Sequence, residues 1–300
     1  MLIGAVIVTY NRLEKLKKCL ASYENQSYPP DRILVIDNAS TDGTKEFLEQ
    51  WENSRESTFS RMIVHNPVNR GGAGGFSEGI RMMADMEVDW IWAADDDAYL
   101  MPQCLENVCS FYSSLPETEK GRITAMCAKV VGRKGEVSTL HRRKIKRSYF
   151  RIKEHPVEDS QTDIPVKIDL FSFVGVALRR AAVYEVGIPN GNYFIYFDDS
   201  EYALRIGKLG DCFYLPGAVI VHDSREGEIL RYSWKNYYMF RNKLYTYKEH
   251  FPVRYFYTEV CMTAFMVLCH YNCVSTWRQF REAVSDAWQG KVGVNPRYLP

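Results

Sequence analysis

The stretch Trp90-Ile91-Trp92-Ala93-Ala94-Asp95-Asp96-Asp97-Ala98 passes abruptly from apolar residues to three adjacent carboxylates. A short apolar run of this kind suits a strand buried in a parallel sheet. In open α/β sheets, ligands bind beyond the carboxyl ends of the strands, where this acidic run would lie. Three neighbouring carboxylates repel one another unless a cation or a set of donors stands among them. Mg²⁺ and Mn²⁺ take oxygen ligands and join one or two carboxylates to substrate phosphates. Alternation in an extended segment puts Asp95 and Asp97 on one side and Asp96 on the other, which makes the first and third the metal pair. The bland alternative is a solvated acidic turn or a helix start, since aspartate suits both.

Working outward, the chain opens on Leu2-Ile-Gly-Ala-Val-Ile-Val8-Thr9-Tyr10-Asn11-Arg12, a strand so close to the N-terminus that no signal peptide is expected. A helical pattern follows at Leu13, Leu16, Lys17 and Leu20. A second strand, Arg32 to Ile36, ends in Asp37-Asn38-Ala39-Ser40-Thr41-Asp42-Gly43. It is followed by a helix from Thr44 to Trp51 and a short strand from Met62 to His65. Asn69-Arg70-Gly71-Gly72-Ala73-Gly74-Gly75-Phe76 then reads as a glycine-rich loop leading into a helix from about Ser77 to Ala84. Its glycines permit positive φ and close backbone approach, and the helix beyond has an electropositive N-terminus. The spacing is not that of a dinucleotide fingerprint. Strands alternating with helices in this way indicate a doubly wound, mostly parallel sheet.

These residues carry a resemblance. The Val8-to-Arg12 strand end, the Asp37-to-Gly43 turn and the Asp95-to-Asp97 motif resemble the inverting, nucleotide-sugar-dependent glycosyltransferase family 2, whose fold is GT-A. The similarity continues through Asn192-Tyr-Phe-Ile-Tyr-Phe197-Asp198-Asp199-Ser200-Glu201-Tyr-Ala-Leu-Arg205, Leu215-Pro-Gly-Ala218 and Val221-His222, so it spans residues 1 to about 225. The glycine cluster with Phe76, the aspartate triad and the Phe197-to-Tyr202 motif look most like bacterial galactofuranosyltransferases; rhamnosyltransferases share much of the pattern. The resemblance implies that Thr9, Asn11, Arg12 and Asp37 meet the nucleoside, and that Arg70, Gly71, Gly72, Asp95 and Asp96 lie against the donor. It carries His222 over as a third metal ligand beside Asp95 and Asp97, and imidazole favours Mn²⁺ over Mg²⁺. It matches Asp199 to the general base and leaves Asp198 to position its neighbour or raise its pKa, with Glu201 as the rival base. From the residues alone, Asp198 to Glu201 is an acidic first helical turn, Asp37 a turn carboxylate, Arg12 a surface cation and His222 a hydrogen-bonded structural residue.

Composition is consistent with this expectation. Three hundred residues suit one large domain or two small ones, and a net charge of +1 gives no electrostatic case for nucleic acid. The eight cysteines show no paired zinc spacing. Cys104 with Cys109, and Cys269 with Cys273, read as small helix residues in a reduced cytosolic chain. No apolar run reaches the roughly 20 residues needed to span a bilayer. The expected organisation is a GT-A domain over residues 1–225, with a nucleotide half to 97 and an acceptor half beyond, then a helical region over 226–300. A polar stretch from Gly132 to Asp163 interrupts the acceptor half. Its basic run, His141 to Arg147, reads as a solvated loop that could instead meet anionic lipid or an acceptor diphosphate. The aromatic segment from Phe251 to Trp277 reads as a helix packed on the domain or on a second subunit, or lying on a membrane surface.

The sequence therefore predicts a metal-dependent glycosyltransferase that builds cell-surface polysaccharide at the cytoplasmic face of the membrane. The expected donor is UDP-galactofuranose, with dTDP-rhamnose as the alternative, and the expected acceptor a glycan or lipid-linked saccharide. A non-catalytic sugar-nucleotide or glycan-binding protein of the same fold is the reading from a different class; such a chain would be expected to have lost Asp95, Asp97 or Asp199.

Overall fold

The computed structural model describes residues 1–54, 59–157, 164–224, 233–271 and 274–299. In chain order the first half comprises β1 (Ile3–Thr9), α1 (Leu13–Glu24), β2 (Arg32–Asp37), α2 (Thr44–Asn53), β3 (Ser60–His65), α3 (Gly71–Ala84) and β4 (Trp90–Asp95). Then come β5 (Ala98–Leu100), α4 (Cys104–Ser114), α5 (Glu117–Lys120), β6 (Ile123–Val131), β7 (Arg142–Arg147), β8 (Ile152–Pro156), β9 (Val166–Ile168) and β10 (Leu170–Phe171). The remainder is β11 (Val176–Arg179), α6 (Arg180–Val186), α7 (Asp198–Ile206), β12 (Asp211–His222), α8 (Lys235–His250), α9 (Val253–Met266) and α10 (Val274–Gln289).

The main sheet runs β3-β2-β1-β4-β11-β6-β12-β5, with β9 also on β12. The pairs β3-β2, β2-β1, β1-β4 and β6-β12 are parallel, and β11 is antiparallel to both its neighbours. All of β1 is buried, and its side chains alternate between two layers. Ile3, Ala5 and Ile7 join Leu16, Leu20 and Tyr23 of α1 and Leu105 and Val108 of α4. Val6 and Val8 face Phe76, Ile80 and Met83 of α3 and Tyr202 and Ile206 of α7. Each such aliphatic or aromatic side chain contributes about 1.5–3 kcal/mol on burial. The apolar Trp90–Ala94 run is therefore a central strand with helices on both faces, and its sixth residue, Asp95, emerges at the carboxyl edge. The fold is the expected α/β sheet with helices at the C-terminus.

Three local expectations are corrected. The glycine cluster is the first turn of α3, which begins at Gly71 and not near Ser77. The low helix propensity of glycine is overridden by packing: a Cβ on Gly75 would stand 2.5 Å from Val8 Cγ1 and 3.1 Å from Asn38 Nδ2. Gly71 has φ +71° and abuts the Phe194 carbonyl, while Asn69 Oδ1 accepts its N–H at 2.8 Å. Second, the basic run is strand β7, paired antiparallel with β8 and β10 in a separate three-stranded sheet. Arg142 in it is buried and donates to the carbonyls of Ala128, Val174 and Gly175. Third, the Phe251–Trp277 segment is divided, since α9 ends at Met266 and α10 begins at Val274 after a wider turn over Val267–Tyr271.

The two halves divided at residue 97 share one sheet, because β11 enters it between β4 and β6. The expected boundary at 225/226 lies outside the described residues. So does Cys273; among the described residues Cys19, Cys104, Cys109, Cys127 and Cys212 are free and buried, and Cys261 and Cys269 are free and exposed. The C-terminal helices build their own core from Tyr237, Tyr238, Phe240, Phe256 and Phe280, and Phe194 from the main domain sits in it. No helix among the described residues is long and apolar enough to cross a membrane.

Candidate active site

At the carboxyl edge of the sheet, Asp95 leaves the end of β4, and Asp97 and His222 face each other where β5 pairs with the end of β12. Asp95, Asp97 and His222 bring one ligand atom each to within 4.8 Å of one another. Asp96 and Asp97 form the turn after β4, so the expected strand alternation stops at Asp95; Asp96 stays out of the cluster because it accepts from Thr9 Oγ1 at 2.7 Å and Arg12 Nη1 at 3.2 Å. Burial and the neighbouring Asp97 push the Asp95 carboxyl up to about 7, and burial pushes Asp96 up to about 6. For Asp97, burial is outweighed by His222, Arg12 and Lys15, which hold it below the usual carboxylate range. The cluster fits a hard divalent ion. Among the described residues, buried Asp97 Oδ1 accepts no hydrogen bond of good geometry, with His222 Nε2 3.3 Å away. His222 Nδ1 is engaged by Ser224 Oγ at 3.1 Å, which leaves Nε2 directed at the acids.

These residues sit in a cavity of 800 Å³. Thr9, Arg12, Gly71, Gly72, Asp95, Asp96, Asp97, Asp198, Asp199 and His222 all line it, so one space gathers most of the residues singled out in the sequence. Asn11, Asp37 and Arg70 do not line the cavity; Asn11 and Arg70 are exposed and Asp37 is buried. Asp37 accepts from Ser40 N and pairs with His65 Nδ1, both at 2.9 Å, and so holds the turn after β2. Asn11, at φ 51°, accepts the Thr41 N–H at 2.7 Å. Arg70 reaches Glu78 at 3.4 Å on the surface. Arg12 is more than a surface cation, since its Nη1 bridges Asp96 and Asp97, the latter at 2.9 Å.

Across the cavity, Asp198 and Asp199 open α7. Burial, and for Asp198 the charge of Asp199, push both carboxyls up; Arg143 and the Ser200 N–H oppose this at Asp199. The loop before α7 is bent by three non-glycine residues at positive φ, Phe194 (67°), Tyr196 (66°) and Phe197 (67°). Each costs about 1 kcal/mol or more. Helix α8 offsets that cost. Buried Asn242 donates to the carbonyls of Tyr193, Ile195 and Tyr196 at 2.8–3.0 Å, and Arg241 reaches that of Tyr193.

Glu201 faces away from the cavity, toward Arg205 Nε at 2.8 Å and His250 Nε2 at 2.9 Å. Burial would raise its pKa, but His250 and Arg205 outweigh burial and hold it below its ordinary 4.5. Glu201→Gln is therefore expected to cost about 2 kcal/mol of stability at pH 7. A depressed carboxyl stabilises fully above its unfolded pKa, so the difference should shrink as pH falls below about 4.5. Urea melts of both proteins at pH 7 and pH 4 measure it; equal stability at pH 7 would dismiss the ion pair.

Several residues in or beside the cavity are not singled out one by one as site residues from the sequence. Lys15 lies one turn after Arg12 and reaches Asp97 Oδ2 at 3.0 Å; its i,i+3 spacing from Arg12 was the available signal. His141 packs edge-on against His222, ring centroids 5.0 Å apart, and meets Ser172 Oγ at 2.6 Å. Arg143 enters from the base of β7, pairs with Glu154 and donates to Ser200 Oγ at 2.9 Å. Trp234 and Lys235 reach the cavity from the start of α8, where burial and the nearby Arg12 lower the Lys235 pKa. No local pattern marks Trp234 and Lys235.

The fold is shared with solved glycosyltransferases of the GT-A class. The structure of GalNAc-T7 with UDP, GalNAc and Mn²⁺ superposes with a TM-score of 0.66 at 14% identity, covering 96% of this chain and 56% of that one. A mannosyltransferase from Pyrobaculum calidifontis in complex with GDP-Man and Mn²⁺ gives 0.56 at 14% identity, covering 96% and 86%. The class of fold is thus GT-A, and the particular family follows: the glycosyl transferase family 2 model matches residues 5–185, and the chain belongs to that family. Galactofuranosyltransferase GlfT1 of Mycobacterium tuberculosis H37Rv is 25% identical over 215 residues. That match covers 69% of this chain and 64% of the relative, so the chain spans just under two thirds of the relative's length. Abequosyltransferase RfbV of Salmonella typhimurium is 39% identical over 98 residues, 32% of this chain and 28% of that protein.

Proposed function

We propose that this glycosyltransferase is metal-dependent and inverting, and that it moves galactofuranose from UDP-galactofuranose to a glycan or lipid-linked acceptor of a cell-surface polysaccharide. The observation that carries the reading is the Asp95–Asp97–His222 cluster facing the Asp198–Asp199 pair across one cavity. Asp95, Asp97 and His222 would hold Mn²⁺ or Mg²⁺, which when bound supplies Lewis-acid stabilisation of the departing diphosphate. Arg12 and Lys235, both on the cavity wall, add positive charge where the diphosphate leaves. Thr9, Asp96, Gly71 and Gly72 form the donor side, with Asn11, Asp37 and Arg70 supporting the loops beside it.

Asp199 takes the proton of the acceptor hydroxyl while that oxygen bonds to the anomeric carbon. The bond from that carbon to the diphosphate oxygen breaks on the opposite face, and the nucleoside diphosphate leaves with its electron pair. A carboxyl raised above the ordinary range by burial is a better base near neutral pH than a solvated one. Burial is what raises Asp199, and Asp198 beside it positions its neighbour. The complete set of acids speaks against a non-catalytic binding protein.

The galactofuranosyltransferase relatives and the glycine-initiated α3 with Phe76 support the donor assignment. A thermal-shift panel of sugar nucleotides with Mn²⁺ tests it. UDP-galactofuranose and UDP are expected to stabilise the protein and to be the productive pair. Stabilisation by dTDP or dTDP-rhamnose with none by UDP would reverse the donor in favour of rhamnose.

A further inference from the structure

The β7–β8 hairpin ends in a tip, Ser148-Tyr149-Phe150-Arg151, closed by Ser148 N donating to Arg151 O at 2.8 Å. Tyr149 and Phe150 pack edge to face, centroids 4.7 Å apart, yet they are 69% and 67% exposed. The tip is held in place. Arg254 Nε donates to Tyr149 O at 2.9 Å, and Tyr255 Oη donates to Ser148 O at 2.7 Å, so the start of α9 braces it. Tyr257, one turn further along α9, is 53% exposed.

Below the tip is a collar of cations. Lys144, Lys146, Arg147, Arg151 and Lys153 are all exposed, and none is ion-paired with a described residue. Register pairs Lys146 directly with Lys153 and Lys144 with His155 on the outward face. Like charges directly opposite in an antiparallel pair destabilise it. Within the hairpin the acid, Glu154, pairs with Arg143, and Asp169 beside β7 accepts the Ile145 N–H at 2.6 Å. In a chain whose net charge is only +1, this is a local concentration of positive charge. It repels a second copy of the same face and calls for an anionic surface.

We propose that this hairpin tip docks on an anionic lipid bilayer, with Tyr149 and Phe150 entering the interfacial layer and the lysines and arginines meeting lipid phosphates. Amphipathic aromatic rings prefer the headgroup–acyl boundary, and flanking cations add about 1 kcal/mol each near a negative surface. Two protruding rings above a charged collar suit a soft interface into which they can sink. Arg143 at the hairpin base lines the cavity and lies four residues from Arg147, about 13 Å along an extended strand. A docked molecule would therefore hold the cavity close to the bilayer, within reach of a lipid-linked acceptor; this last point rests on the transferase reading, the docking itself does not.

The test is co-sedimentation of the full chain with vesicles of phosphatidylcholine alone or mixed with phosphatidylglycerol, at low and high salt. Binding is expected only with the anionic lipid and should weaken as salt rises. Lys146→Gln with Lys153→Gln should weaken partitioning by roughly 20-fold. Tyr149→Ser with Phe150→Ser should remove the part that persists at high salt. Both variants should melt within a degree or two of the wild type, since the altered side chains are exposed. No vesicle binding at low salt, equal binding to neutral vesicles, or unchanged binding by the lysine variant would overturn the proposal. So would a single-stranded oligonucleotide bound through these residues in place of vesicles, or a shift to dimer on size exclusion abolished by Tyr149→Ser.

Discussion

Asp97→Ala is expected to reduce glycosyl transfer by about 10³-fold or more while leaving a folded protein. Asp97 is the cluster member held ionised, since His222, Arg12 and Lys15 together outweigh its burial. Removing it deletes one oxygen ligand and frees the two cations, whose side chains are 49% and 32% exposed and can turn to water. The loss also relieves repulsion within the acidic triad, which offsets only part of the lost His222, Arg12 and Lys15 contacts, so the variant should melt somewhat lower but remain folded. The same experiment has a second arm. Excess chelator should abolish wild-type transfer, and Mn²⁺ or Mg²⁺ should restore it. Full activity of the wild type in excess chelator would eliminate the metal role, and a wild-type Mn²⁺ affinity retained by Asp97→Ala would remove that residue from the ligand set.

Asp199→Asn should lower kcat by about 10²-fold to 10⁴-fold with the donor KM nearly unchanged. Asparagine keeps the shape that accepts from Ser200 N and Ser200 Oγ but cannot take a proton. Glu201→Gln is the control, because Glu201 is turned toward His250 and Arg205 and should affect stability and not kcat. An active Asp199→Asn alongside an inactive Glu201→Gln would reassign the base.

Much of this arrangement is readable in the chain because it depends on short-range rules. An apolar strand that stops at Asp95 must deliver carboxylates to the sheet edge, though Asp96 and Asp97 lie in the turn beyond it, and Asp96 is set apart by Thr9 and not by a period of two. The Asp198-Asp199-Ser200-Glu201 run opens α7 with its acids in the first turn, although the N-cap itself is Phe197 and no side chain caps the helix. What was not readable depends on distant partners. The glycines of α3 are helical because they meet Val8 and Phe194, which propensity cannot foresee. Strand β7 was hidden by its charge, although Ile145 between lysines kept the alternation. Lys235 arrives at the cavity from beyond the end of the sheet, and only tertiary packing brings it beside Arg12.

The grip of α8 on the loop before α7 has a consequence for how members of such a family can diverge. The Asp198–Asp199 pair is aimed by a backbone bend that three side-chain–carbonyl bonds from Asn242 hold in place, and Arg241, also buried, ties the same bend to Gly293 near the far end of the chain. Exchange of the C-terminal helices between relatives would therefore transplant the aim of the proposed base together with whatever surface those helices present. The aim of the proposed base and the packing of the C-terminal helices are mechanically linked, and sequence change in one region is constrained by the other.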